Sequence, residues 1–178
     1  MNLSVREIQE NELHAIPAYF LNAGEDFLHA MGADKAKLPG KEEWLQLLID
    51  DYRQPNEQKK FFYVLWLADE APVGHSNINK IIFGEEAYMH LHLWGQGQRQ
   101  KGMGVEFIKM SIPFYFEQFK LKNLYCEPYT LNPAPNKVLE KTGFDFIQQY
   151  ETTPGWINFH QPVNRWCMSF EKYKTLYK

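Results

Sequence analysis

Two histidines, His90 and His92, are separated by a single residue in the stretch "EEAYMHLHLW". The stretch predicts a strand, and because side chains of a strand alternate between its faces, Tyr88, His90, His92 and Trp94 share one face. The other face is uniformly apolar and is expected to face the core: Ala87, Met89, Leu91 and Leu93. An imidazole near its ordinary pKa can take a proton from an ammonium group at neutral pH. The first face therefore suits the cleft of an enzyme that needs a general base.

The same histidines allow two other interpretations. His75, on a neighbouring predicted strand, would add a third imidazole to a metal site. No carboxylate stands with them at a spacing typical of such a site, so we expect no metal. The remaining interpretation is that each histidine is simply hydrogen-bonded into a sheet surface, and that interpretation stays open for each of them taken singly.

The strand runs into a glycine-punctuated basic loop, "GQGQRQKGMG", after which a long helix is predicted. Backbone amides at a helix start carry the positive end of the helix dipole and bind phosphate oxygens. Glycines allow a close approach to an anion, and Arg99 and Lys101 add charge. The spacing matches neither a Walker A loop nor a dinucleotide-binding fingerprint. On its own the loop predicts an anion site and an ordinary chain turn equally well.

Composition limits the class of protein. The chain has 178 residues with 44% hydrophobic and 16% aromatic content, which predicts one folded domain over residues 1–178. The net charge of -3 gives no reason to expect a nucleic-acid or anionic-membrane partner. Cys126 and Cys167 lie far apart, as is typical of thiols in a reducing cytosol. With no basic and apolar leader and no membrane-length apolar run, we expect a cytoplasmic protein.

The hydrophobic pattern predicts the order β-α-α-β-β-β-α-β-α-β-β. "FFYVLWLA", "VGHSNINKII" and "EEAYMHLHLW" are expected to form an antiparallel meander, and a helix follows Gly102. Asn132 is the predicted N-cap of a short helix that ends before Gly143. "FDFIQQYETT" and "RWCMSFEKY" are the predicted last strands. This order indicates an α/β (α+β) fold whose mostly antiparallel mixed sheet of about seven strands is flanked by helices.

Two segments resemble the signatures of a known family. "RQKGMG", residues 99 to 104, is similar to the Q/R-x-x-G-x-G/A motif of the GNAT superfamily of acyl-CoA-dependent N-acetyltransferases. "NPAPNKVLEKTGF", residues 132 to 144, resembles its second motif, N-x-x-A/S followed by a helix ending in E-K-x-G-F. Their order, separation and strand context agree, most firmly from about Phe61 to Phe146. The branch that this sequence resembles is that of the acetyltransferases of ribosomal-protein N-termini and of aminoglycosides.

The resemblance implies an acetyl-CoA site and no metal. Backbone amides would hold the pyrophosphate, and these residues are Arg99, Gln100, Lys101, Gly102, Met103 and Gly104. The backbone of Leu93 and Trp94 would bind the pantetheine arm and the acetyl carbonyl. Asn132 matches the motif asparagine that contacts the cofactor arm, with a pure helix cap as the alternative role.

The resemblance also implies catalytic roles. In this superfamily the base often lies on the strand before the glycine loop. We therefore expect His92, nearer the thioester end, as the base, with His90 second and Glu127 third. The places of the usual proton donor hold Leu139 and Pro135, neither of which can supply a proton, so water or Tyr129 is the remaining source. Arg165 is a candidate for binding an anionic group of the acceptor.

The sequence thus favours an N-acetyltransferase that moves the acetyl group of acetyl-CoA to a small-molecule or peptide amine by direct attack in a ternary complex. Two alternatives stay open: a non-catalytic CoA-binding sensor of the same fold, and a transferase for another acyl-CoA. The sequence does not name the acceptor. Pairing of two copies as a homodimer through the late strands also stays open.

Overall fold

The structure is a computed structural model that describes residues 1–95 and 102–178. The described residues form seven strands: β1 Leu3–Glu7, β2 Phe62–Ala68, β3 Ala71–Ile82, β4 Glu86–Leu93, β5 Asn123–Cys126, β6 Asp145–Thr152 and β7 Gln161–Ser169. They also form six α-helices: α1 Ala15–Leu21, α2 Glu25–Ala30, α3 Lys41–Tyr52, α4 Met103–Phe119, α5 Pro133–Lys141 and α6 Phe170–Tyr177. None of the helices in this part of the chain is long and apolar enough to cross a membrane.

All seven strands belong to one sheet in the order β1-β2-β3-β4-β5-β7-β6. The β4–β5 pair is parallel and the others are antiparallel. The predicted mixed, mostly antiparallel sheet flanked by helices is confirmed. β6 is an edge strand, and pairing of two copies along it stays a prediction.

The sheet is covered on both faces, which explains why every residue of β2 is buried. Alternate residues such as Val64 and Trp66 pack with α4 in one core, while Tyr63 and Leu65 pack with α1 to α3 in a second core. α4 is the largest contributor to the first core, and Phe107 in it is fully buried. Burying a side chain of this kind stabilises the fold by about 1.5–3 kcal/mol.

The sheet opens between β4 and β5. These strands pair only from Glu86 to Tyr88 on β4 and from Asn123 to Tyr125 on β5. Beyond that point β4 stays hydrogen-bonded to β3, whereas the chain after β5 turns away through Pro128 into α5. The candidate bases predicted from the sequence lie on the two sides of this opening. His90 and His92 lie on β4, and Glu127 lies just after β5.

Three expectations about the elements are wrong. The predicted last strand "RWCMSFEKY" ends at Ser169, and α6 follows because the Ser169 hydroxyl accepts a hydrogen bond from the Lys172 amide (3.2 Å) and caps the helix. The loop expected before this strand is also shorter, since β7 already begins at Gln161. The segment before β2 contains three α-helices, whereas the sequence pattern predicts two.

Candidate active site

The first cavity lies against the sheet face that carries the histidines, and we call it the aromatic cavity. Its described walls carry six aromatic side chains, which are Phe20, Trp44, Phe61, Tyr63, Tyr129 and Trp156. The other polar side chains, none of them a carboxylate, are His75, Asn77, Asn79, His90, His92, Asn132, Asn158 and Gln161. Glu127 is the single carboxylate among the described lining residues. The chamber is therefore mainly aromatic and nearly uncharged.

The second cavity, which we call the α4–α5 cleft, opens where β4 and β5 separate. It is lined by Leu91, Leu93, Gly102 and Gly104 on one side and by α5 on the other. The charged side chains among its described lining residues are Lys137 and Lys141, both basic. A cleft with a helix start and two lysines suits an anionic, phosphate-bearing ligand.

His92 lies where the two cavities meet. Five of the described residues line both cavities, namely Met31, Leu91, His92, Asn132 and Pro135, and His92 is the titratable one among them. The His92 ring packs against Phe20 and Tyr19, with ring centroids 5.1 and 5.4 Å away. A molecule in one cavity and a molecule in the other would thus both border the same imidazole.

His90 and His75 flank His92 but differ from it in their surroundings. The Nε2–H of His90 donates to the Asn79 amide oxygen (3.0 Å), and burial together with the charge of Lys80 lowers the pKa of His90 to about 4. His75 is fully buried, and that burial, with His90 nearby, lowers its pKa to about 3. Both imidazoles are therefore uncharged at neutral pH, and neither pKa suits a general base that must work there.

The tautomer of His75 follows from its neighbour. The Trp94 indole N–H donates to Nδ1 of His75 (2.9 Å), so Nδ1 must be unprotonated. The neutral ring then carries its hydrogen on Nε2. This buried atom has no hydrogen-bond partner among the residues that the structure describes.

The backbone at the end of β4 agrees only in part with the expected cofactor contacts. Leu93 lines the α4–α5 cleft, as the expectation requires. The Trp94 amide instead donates to the Val73 carbonyl (2.7 Å), so this N–H is used within the sheet and cannot also bind the pantetheine arm. The Trp94 ring packs in the second core.

Glu127 is held in an ion pair. Its Oε1 accepts from Nε of Arg165 (2.8 Å) and from the Tyr150 hydroxyl, and its side chain is only 5% exposed. The Arg165 guanidinium also lies over the rings of Tyr125 and Tyr88. Burial opposes the charge of Arg165, but Glu127 acting together with Tyr88 and Tyr150 outweighs that effect and raises the Arg165 pKa. Arg165 thus neutralises Glu127, and its binding of an anionic acceptor group stays a prediction.

Asn132 begins α5 without capping it through its side chain. It lines both cavities, and this placement favours ligand contact over the pure capping role. The side chain that ties this segment together is Asn136, which donates to the Asn132 carbonyl (2.9 Å) and accepts from Asn164 and Trp166 (both 2.9 Å). Tyr129 lines the aromatic cavity but not the α4–α5 cleft.

The two positions that lack a proton donor have structural roles. Leu139 is fully buried in the core below α4, and Pro135 lines both cavities in the first turn of α5. Neither side chain has a proton to give.

The predicted pyrophosphate loop is only partly described. Arg99, Gln100 and Lys101 lie outside the described residues. Gly102 precedes α4 in a left-handed conformation (φ 70°), and Gly104 packs against Val138, where an added Cβ would lie 3.4 Å from Val138 Cγ2. The Met103 side chain is buried in the core.

Metal-ligating side chains do not cluster in the described part of the chain. Within residues 1–95 and 102–178, no three His, Cys, Asp or Glu side chains form a group that would hold a metal ion. His75 and His92 stack face to face rather than converging on a common point, with an angle of 27° between their planes.

Sequence reasoning missed several contributors to this site. The aromatic walls come from α1, α3 and β2, which carry no catalytic motif. Lys137 and Lys141 are spaced so that they share one face of α5, and this spacing was a readable signal. The alternation of His75, Asn77 and Asn79 along β3 was a second signal, because it matches the alternation of His90 and His92.

A family model described as an acetyltransferase (GNAT) domain matches residues 2–145. The chain belongs to the GNAT acetyltransferase family. A search among curated protein sequences gives no match.

Solved structures share the fold at low sequence identity. The spermidine N-acetyltransferase from Vibrio cholerae, in complex with CoA and spermine, has a TM-score of 0.77 at 16% identity, covering 97% of this chain and 98% of that one. The ribosomal alpha-N-protein acetyltransferase RimL, in complex with coenzyme A, has a TM-score of 0.76 at 14% identity, covering 97% and 96%. The aminoglycoside acetyltransferase AAC(6')-Ib, in complex with coenzyme A, has a TM-score of 0.74 at 11% identity, covering 99% and 100%.

Proposed function

We propose that the chain is an N-acetyltransferase that moves the acetyl group of acetyl-CoA to a primary amine while both are bound together. The observation that carries the proposal is the position of His92, which lines the aromatic cavity and the α4–α5 cleft at the same time. An acyl donor in the cleft and an amine in the cavity would meet beside a group able to take a proton.

The cleft fits the proposed donor. The start of α4 at Gly102, Met103 and Gly104, with Arg99, Gln100 and Lys101 before it, is the proposed pyrophosphate site. Lys137 and Lys141 add positive charge along the same cleft. Leu93 and Asn132, which also line it, are the proposed contacts of the pantetheine arm.

The proposed reaction needs one proton acceptor and one proton source. The amine nitrogen attacks the thioester carbonyl carbon, the C–N bond forms, the C–S bond breaks and CoA leaves as its thiolate. His92 takes the proton that the amine gives up, since His90 and Glu127 are less suited by their hydrogen bonds and pairing. The proton for the thiolate comes from water or from Tyr129, because Leu139 and Pro135 have none to give.

The test uses the purified chain, acetyl-CoA and a mixture of primary amines. We expect thiol release that depends on an amine, and an amine product that is heavier by one acetyl group in mass spectrometry. Propionyl-CoA in parallel tests the acyl donor, and we expect it to be slower. A chain that hydrolyses or ignores acetyl-CoA in the presence of every amine would contradict the proposal.

The absence of a proton donor at Leu139 and Pro135 favours one second candidate, a CoA-binding sensor without catalysis. A sensor would bind CoA in calorimetry and give no acetylated product. The two measurements together separate the candidates.

A further inference from the structure

The aromatic cavity carries information about the acceptor, and the inference that follows rests on the proposed function. The cavity lies on the β4 face opposite the main core and shares His92 with the proposed donor cleft. Whatever amine is acetylated must therefore fit its walls, its charge and its hydrogen-bonding groups.

The first observation is its charge. Glu127 is the single carboxylate among the described lining residues, and Arg165 neutralises it at 2.8 Å. A polycation entering the cavity would leave water for walls that offer no unpaired negative charge, which is costly. One ammonium group of such a ligand can lose its charge by giving its proton to His92, but the additional ammonium groups of a polycation cannot.

The second observation is that two hydrogen-bond donors in the cavity walls have no acceptor among the described residues. Nε2 of His75 and Nε1 of Trp44 are buried and have no hydrogen-bond partner among the described residues. Both residues line the cavity, and both are almost wholly buried, with 0% and 3% of their surface exposed. Both atoms carry hydrogen, since indole nitrogen is only a donor and the His75 tautomer is set by Trp94.

Unpaired buried donors are costly until something accepts a hydrogen bond from them. An ammonium group cannot do so, because it has only donors. An ether, carbonyl or hydroxyl oxygen can. The unpaired N–H donors and the low negative charge of the cavity thus both favour a ligand that carries an acceptor oxygen and little positive charge.

The third observation is the ring-rich wall. Trp44 packs edge-on against Trp156 at 5.5 Å between centroids and against Phe20 at 5.3 Å. Flat aromatic walls of this kind favour a flat apolar body, through area burial and ring contacts.

From these three observations we infer that the acceptor is a primary amine with a single positive charge, a flat apolar body and an oxygen that accepts hydrogen bonds from Trp44 and His75. Trp44 and His75 are then specificity-determining residues. Polyamines and aminoglycosides, which the solved relatives bind, are disfavoured here.

The experiment measures kcat/KM by thiol release for 4-methoxyphenethylamine, its near-isostere 4-ethylphenethylamine, spermidine and kanamycin. We expect the methoxy compound to exceed the ethyl compound by about three- to tenfold, the effect of one neutral hydrogen bond. We expect spermidine and kanamycin to be at least about tenfold poorer than either. A polycation that exceeds both ring amines overturns the inference.

The variants Trp44→Phe and His75→Phe each remove one donor, and we expect at least one of them to bring the methoxy-to-ethyl ratio close to one. Comparing ratios cancels any intrinsic difference in reactivity between the two amines. His75→Gln, which keeps an acceptor for Trp94 and a donor, should restore the ratio. Trp156→Phe is the matched control because Trp156 lines the same cavity but is 45% exposed, so its ratio should equal that of the wild type.

A ratio that is unchanged in both donor variants overturns the inference. Coenzyme A binding by calorimetry shows that each variant is folded. Coenzyme A binding without acetylation of any amine overturns the proposed function and this inference with it, whereas efficient acetylation of spermidine alone overturns only this inference.

Discussion

The rings of His75 and His92 stack across β3 and β4, with centroids 4.8 Å apart. His75 is uncharged at neutral pH because burial lowers its pKa to about 3. A second imidazolium in this position would oppose a proton on His92. The neutral state of His75 therefore leaves His92 able to gain a charge during the proposed reaction.

The buried His75 also predicts how stability depends on pH. Between its folded pKa of about 3 and its ordinary value of 6.5, the unfolded chain binds a proton at this residue and the folded chain does not. The free energy of unfolding therefore falls as pH drops below 6.5, and His75 accounts for about 2 kcal/mol of this loss by about pH 5. His75→Gln keeps the hydrogen-bonding groups without the titration.

We expect this variant to lose less stability than the wild type when urea unfolding is compared at pH 7 and about pH 5. Equal losses in the two proteins would show that His75 does not titrate on unfolding.

Pairing with Arg165 predicts that Glu127 stabilises the fold and is not the base. Glu127→Gln leaves the Arg165 charge without its partner, so we expect the free energy of unfolding to fall by about 3–5 kcal/mol. The kcat/KM of the folded protein should stay within about threefold of the wild type. Denaturant unfolding and thiol release measure the two effects. A hundredfold loss of kcat/KM with little loss of stability would instead make Glu127 a catalytic residue.

Asn132 and Asn136 form a matched pair on α5. Asn132→Ala removes a side chain that makes no cap bond, so we expect stability to change by less than about 0.5 kcal/mol while the Kd for coenzyme A rises about tenfold. Asn136→Ala breaks hydrogen bonds to Asn132, Asn164 and Trp166, and should cost about 2–3 kcal/mol of stability. Calorimetry and urea unfolding give both quantities. An Asn132→Ala variant with unchanged affinity for coenzyme A would make Asn132 a structural residue only.

Gly74 allows β3 to approach the end of β4 that carries His92 and Leu93 closely. A Cβ there would lie 2.5 Å from the His92 carbonyl oxygen and 3.2 Å from the Leu93 Cα. Gly74→Ala must therefore displace His92 and Leu93, and we expect at least a tenfold loss of kcat/KM. Gly24→Ala is the control, because an added Cβ at Gly24 meets nothing within 4 Å. Equal activity of the two variants would show that the position of the β4 end does not matter.

The sheet was predictable because its signals are local. The alternation along β4 correctly separates Met89 in the core from His90 and His92 at the cavity, and the continuous apolar run of β2 matches a strand buried on both faces. α6 was missed although Phe170, Tyr173 and Tyr177 follow a helical spacing after the capping Ser169. The high β-propensity of "RWCMSF" favoured a continued strand over this helical spacing.

The partners inside the site were less predictable because they depend on register between distant segments. Arg165 reaches Glu127 across 38 positions, and Trp94 reaches His75 across 19. No local pattern contains these pairings. The resemblance to the family predicted the location of the proposed donor cleft, but the charge and the unpaired donors of the aromatic cavity emerge only from the packed structure.

The most direct test of the central claim is the pH profile of kcat/KM for His92→Ala and the wild type, with acetyl-CoA and an accepted amine. We expect the variant to lose about a hundredfold or more at neutral pH and to lose the acidic limb of the profile. His90→Gln should keep that limb, because the pKa of His90 is about 4. A His92→Ala variant that keeps wild-type kcat/KM and the same limb would contradict the assignment of His92 as the base.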